Sequence, residues 1–248
     1  MDSTRKIAFV AGALFVITFI ASIPAALFLY SPVLDHANYI VGAGADSRIA
    51  LGAFLEMILI VANIGTAVVL FPILKRQNEG LALGYVAARI VESTFIGIGI
   101  VSLLAIVTLR QDVGGAGGAG SLVPVGRSLV AIHDWTFLLG PGWVVGWGNG
   151  LVLGYLMYRS QLVPRAWCWL GLIGGPLLFI AGTAVMFAGN NPSSGLNSVK
   201  SVLSIPEIAW ELFLGIYCTW KGFRPESPIL RADAREERLE AGPATSPA

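Results

Sequence analysis

Charge is what this sequence has least of. Its 16 Lys and Arg and 15 Asp and Glu make up 12% of 248 residues, about half the share of a water-soluble domain, which is roughly 25%. Ten of these charges lie in residues 221–248 and three in residues 1–6, leaving 18 for the 214 residues between. With 55% hydrophobic residues and a mean hydropathy of +0.74, such a middle does not fold around an aqueous core. It reads as membrane-spanning.

Other scarcities narrow the chemistry. The two cysteines, Cys168 and Cys218, lie near the ends of apolar runs, which argues against a disulfide framework or a thiolate metal cluster. A net charge of +1 without a clustered basic face argues against nucleic acid as a partner. There is no Gly-x-Ser-x-Gly elbow, no histidine pair at metal spacing and no lysine inside an apolar run to form a Schiff base, so covalent catalysis finds no motif and no cofactor is expected. The glycine-rich segment Gly114–Gly120 lacks the Lys and Ser/Thr of a phosphate-binding loop. It reads as a flexible linker.

Six apolar runs are present, at about 7–30, 49–74, 81–109, 132–158, 166–188 and 202–220. Each is long enough to cross roughly 30 Å of hydrocarbon as a helix, the form in which backbone groups pair internally. The expected fold is an all-helical transmembrane bundle over residues 1–224, with an uncleaved first span and a partly disordered tail at 225–248. Lys and Arg number eleven on the side of the termini and short loops (Arg5, Lys75, Arg76, Arg159, Arg165 and Lys221 among them) against four on the other side. That bias predicts cytoplasmic termini. Tyr155, Tyr158, Trp167, Trp169 and Trp220 fall near the same interface, as aromatic anchors do.

The fourth run is too long for one straight crossing and too short for two, counting from residue 122. Gly140-Pro141-Gly142 predicts a kink or break there, because proline removes a backbone donor; the part before it is expected along the outer interface. Beyond it Gly142, Gly146, Gly150 and Gly154 form a small-residue stripe suited to close helix packing. Oligomeric state is not legible.

Ionisable side chains within the spans are the sharpest signal, since each costs at least a few kcal/mol at bilayer depth. Glu56 and Asn63 share a helix face seven residues apart; Arg89 and Glu92 form an i,i+3 pair. His133 and Asp134 open the fourth run, and Glu207 and Glu211 form an i,i+4 pair after Pro206. Three readings of these eight residues stand side by side. In the first, Arg89 pairs with Glu92 or Glu211 and the group only fixes helix orientation, as in a non-catalytic scaffold. In the second, Glu56, Asp134, Glu207 and Glu211 share a proton in a polar cavity that binds a small cation or cationic solute. In the third, His133, Asp134 and glutamates hold a metal for hydrolysis, although one intramembrane histidine is few for zinc.

A resemblance joins these readings. The runs Gly44–Arg48, Asn63–Ala67, Lys75–Gly80, Gly84–Arg89 through Glu92, Val130–Phe137 and Leu139–Gly142, with Trp210-Glu211 near the end, resemble a bacterial membrane-protein family catalogued as domain of unknown function 4386. The similarity extends over most of residues 5–224. It implies a multi-span protein of a bacterial inner membrane and supplies no activity.

Overall fold

The computed structural model describes residues 3–36, 38–42, 44–113, 119–189 and 195–232. Most of the glycine-rich segment (114–118) and the tail from residue 233 lie outside these. Among the described residues every regular element is helical, and the helices assemble into six rods of alternating direction. The first is α1 (Ser3–Pro24), prolonged by a wide turn at Ala25–Leu29. A short α2 (Ser31–Leu34) leads to α3 (Asp46–Leu74), which turns tightly at Lys75–Asn78 into α4 (Glu79–Val113). The Asn78 side chain caps α4, accepting the Leu81 N–H at 2.9 Å, as N-cap asparagines do.

The fourth rod is α5 (Val123–Leu139), two wide segments at Gly140–Val144 and Gly146–Leu153, and α6 (Gly154–Ser160). Of the kink or break expected at Gly140-Pro141-Gly142 the break is absent, although Gly140 departs from helical geometry with φ −76° and ψ −86°. The rod instead widens to i→i+5 turns, which relieve the clash of the Pro141 ring with the preceding turn while keeping the backbone paired. It ends where Gln161 adopts a left-handed φ of 56°. The segment before Pro141 packs on α4 rather than standing apart: a Cβ on Gly99 would lie 2.9 Å from Thr136 Oγ1 and 3.3 Å from the His133 ring. Two rods remain, α7 (Arg165–Ala188) and the pair α8 (Gly195–Leu203) and α9 (Ile205–Trp220), joined through Ser204.

One end of the bundle brings the start of α1 against the end of α9. Arg5 donates to the carbonyls of Cys218, Thr219 and Trp220 at 2.9, 2.9 and 2.6 Å, satisfying acceptors that a helix C-terminus leaves open. Arg224 N–H reaches the Leu162 carbonyl at 2.9 Å, and Ser227 Oγ the Ser160 carbonyl at 2.7 Å. Phe15, Leu74, Leu162, Trp210 and Leu214 fill the core between. At the far end Asp46 accepts from Tyr39 (2.8 Å), Arg110 (2.6 Å) and Gln111 (3.1 Å). Burial and the Asp46 contact push the Tyr39 phenol up to about 12, so this clasp holds a neutral hydroxyl.

Among the described residues five helices are long and apolar enough to cross a membrane: Ser3–Leu29, Asp46–Leu74, Glu79–Asp112, Arg165–Ala188 and Gly195–Trp220. Their outward faces carry exposed Phe28, Phe54, Val61, Ile180 and Phe187, an apolar belt of the kind that a membrane-spanning protein turns to lipid. This is a multi-pass membrane protein. The fourth rod falls outside the five because glycines and Asn149 dilute its hydropathy. Its stripe faces α7: a Cβ on Gly146 would stand 2.6 Å from the Gly175 carbonyl, and one on Gly150 would collide with Gly175 Cα. Gly154 lies against Leu172, and the Gly142 carbonyl stands 3.5 Å from where a Cβ on Gly182 of α7 would be.

Candidate functional site

Arg89, 2% exposed, is the hub of a polar network in the bundle core. From α4 its Nη1 donates to Glu92 Oε2 at 2.8 Å on the same face, and its Nη2 donates to Glu211 Oε1 on α9 at 2.9 Å. Both pairings expected of Arg89 are therefore present at once. Nη2 also reaches Asn149 Oδ1 at 3.0 Å, and Nε reaches Tyr85 Oη at 3.3 Å. The guanidinium lies over the rings of Phe15 and Tyr85 at 5.6 and 5.7 Å. Asn63 on α3 donates to Glu92 Oε1 at 2.9 Å.

Asn149 links the remaining members. Its Nδ2 donates to Glu211 Oε1 at 2.8 Å and to Glu207 Oε1 at 3.2 Å, while its carbonyl accepts from the Trp210 indole at 3.2 Å. It lies within the wide Gly146–Leu153 segment, flanked by Gly148 and Gly150. A Cβ at Gly148 would strike Ala88, and one at Gly150 would stand 2.6 Å from Glu207 Oε2. Glycine at both places is what lets α4 and the Glu207 carboxyl come this near. Glu207, 2% exposed, leaves Oε2 buried without a hydrogen-bond partner among the described residues.

The other predicted residues gather elsewhere. Glu56 on α3 accepts from Tyr30 Oη at 2.8 Å. The His133 ring packs edge-on to Tyr30, with centroids 5.7 Å apart, and stacks on Phe137 at 6.1 Å. His133 Nδ1 lies 3.6 Å from Asp134 Oδ1, too far for a hydrogen bond, and has no other partner among the described residues. Glu56, His133 and Asp134 line a cavity of about 260 Å³ together with Asn197, Lys200 and Ser201 of α8.

The eight residues thus form two sites rather than one. Arg89, Glu92, Asn63, Glu207 and Glu211 meet in the core; Glu56, His133 and Asp134 meet toward the far end. Glu56 and Asn63 do share a face of α3, yet seven residues are about 10 Å of helix at 1.5 Å each. Apolar Leu59 and Ile96 pack at the level between. Among the described residues no three His, Cys, Asp or Glu side chains are placed to hold a metal ion, so His133 and the acids do not assemble the metal site of the third reading. Asn149, Tyr85, Tyr30 and Lys200 were not singled out by sequence. An asparagine amid glycines in an apolar run was the available signal for the first.

No curated protein and no solved structure matches the chain. The helices that carry both polar groups, from α1 through α9, fall almost wholly within a single family match over residues 10–222, and on that extent the chain belongs to the family described as a domain of unknown function (DUF4386).

Proposed function

We propose that this is a six-span protein of a bacterial inner membrane, with both termini in the cytoplasm, that binds a small cation or cationic solute and links it to a proton held in the Arg89 core. The orientation is supported by the basic residues of the end where α1 starts and α9 ends, Arg5, Lys75, Arg76, Arg159, Arg165, Lys221 and Arg224, since such charge stays cytoplasmic. A sixth crossing by the rod 123–160 is supported by the alternation of the rods and by its unbroken helical pairing.

The observation that carries the functional reading is a charge imbalance. Two carboxyls, Glu92 and Glu211, pair with one guanidinium, a third, Glu207, is joined to them through Asn149, and among the described residues its oxygen beside Gly150 has no hydrogen-bond partner. Uncompensated ions in such surroundings cost several kcal/mol each, which favours a core that holds a proton or a cation there. Arg89 supplies the fixed counter-charge. The wide turns at Gly140–Leu153 give the adjoining rod a place to flex, a common use of such turns.

The test is proton movement in liposomes enclosing a pH dye, on addition of sodium, potassium or tetramethylammonium chloride. Wild type is expected to shift internal pH with at least one of them and Glu207→Gln with none. No shift by wild type across the panel contradicts the reading.

The saturation of Arg89 by Glu92, Glu211, Asn149 and Tyr85 favours a second reading, a non-catalytic scaffold whose buried charges hold α3, α4, α9 and the fourth rod in register. It predicts that Glu207→Gln changes stability alone.

A further inference from the structure

The cavity toward the far end has chemistry that the core does not use. Its polar wall is Glu56, His133, Asp134, Asn197, Lys200 and Ser201; Ala26, Leu34, Phe137 and Leu138 form the apolar wall. At about 260 Å³ it holds the volume of about nine waters, taking roughly 30 Å³ for each. That suits a solute of about nine non-hydrogen atoms or fewer. A wider cavity of about 650 Å³, which shares Leu34 and Asp134 with it and reaches Asp35, His36, Tyr39 and Arg127, provides the access route from the far end.

The charges in this pocket are unevenly matched. Lys200 lies in the field of Asp134. Glu56 receives the Tyr30 hydroxyl, but among the described residues no Lys or Arg pairs with it. His133, 6% exposed, lines the same wall with its Nδ1 making no hydrogen bond. A buried carboxylate and a buried imidazole that lack a cation between them are both acceptors for an N–H donor. The Phe137 ring beside His133 offers a face to positive charge. A bare calcium or magnesium ion asks for six or more oxygen ligands, which this half-apolar wall does not supply, and among the described residues no three His, Cys, Asp or Glu side chains are placed to hold a metal ion.

We propose that the Glu56–His133 cavity binds a small primary alkylammonium ion, its ammonium hydrogen-bonded to the Glu56 carboxylate and the His133 imidazole and its carbon chain against Leu34, Phe137 and Leu138. This rests on the cation-binding reading above and names the place and chemical class of the ligand. Lys200, at the α8 side, is the group that weakens it, because its charge repels the incoming ammonium.

The experiment is calorimetric titration of the detergent-solubilised full chain with n-propylammonium chloride, with n-propanol as the uncharged control. Wild type is expected to bind the ammonium saturably and not the alcohol. Glu56→Gln, which keeps an oxygen for the Tyr30 hydroxyl, should weaken binding at least tenfold. Lys200→Gln should tighten it about threefold, an effect that misfolding does not produce. Gly84→Ala, at a position with nothing near its missing Cβ, should bind as wild type does, while the liposome assay reads proton movement separately. No saturable binding by wild type, or equal affinity in Glu56→Gln and Lys200→Gln, overturns the proposal and leaves the proton reading to the liposome assay.

Discussion

The two polar groups on α3 stand two helical turns apart and are built in opposite ways. Around Asn63 the core is closed: Arg89 is ringed by Glu92, Glu211, Asn149 and Tyr85, and helices meet through glycine at near-contact distance. Around Glu56 the partners are few, His133 and Asp134 stop short of hydrogen bonding at 3.6 Å, and a cavity opens. Saturated charge fixes helices in place, because moving any one of them strands a buried ion. Unsaturated charge beside open volume leaves room for a ligand. Glu207 belongs to the first group by position and to the second by its unpartnered oxygen.

The contrast breaks most sharply at Arg89. Arg89→Ala leaves buried Glu92 and half-buried Glu211 without their cation, a loss of about 3 to 5 kcal/mol by analogy with other broken buried pairs, read as a large fall in melting temperature in detergent. The combined change Arg89→Met, Glu92→Gln and Glu211→Gln should recover part of it, since a neutral core of similar volume carries no stranded charge. An unchanged melting temperature for Arg89→Ala would mean that the network is not a structural centre.

The glycine contacts come next. Gly150→Ala drives a methyl into Gly175 and toward Glu207 Oε2, and overpacking of this kind costs about 1 to 3 kcal/mol. Gly84, on α4 with nothing near its missing Cβ, is the matched control. Gly84→Ala should be neutral or stabilising by about 0.5 to 1 kcal/mol, the helix-propensity difference. Equal losses at the two positions would show that the stripe is not a contact surface.

The smallest effect on stability belongs to the open group. Tyr30→Phe removes one hydrogen bond to Glu56 and should cost about 1 kcal/mol, well below Arg89→Ala in the same thermal assay. A loss as large as that of Arg89→Ala would erase the distinction between the two sites.

Much of this was legible in the sequence for a physical reason: ions are costly in hydrocarbon, so Arg89, Glu92, Glu207 and Glu211 announced themselves by occurring within apolar runs. The i,i+3 spacing gave the Arg89–Glu92 contact directly. Asn149 was obscured because its glycine neighbours signal packing, and because i→i+5 turns alter which residues share a face. Glu56 and Asn63 were joined wrongly for the converse reason, since a common face says nothing of depth along the helix. The helix widening at Pro141, in place of a break, follows from backbone pairing that a residue pattern does not encode.

The central claim, that the Arg89 core holds a proton on its excess carboxyls, is tested most directly by infrared spectroscopy of the reconstituted protein at neutral pH. A protonated-carboxyl stretch that shifts in deuterium oxide and is lost in Glu207→Gln is the predicted result. Wild type without such a band, its carboxyls all ionised, would contradict it.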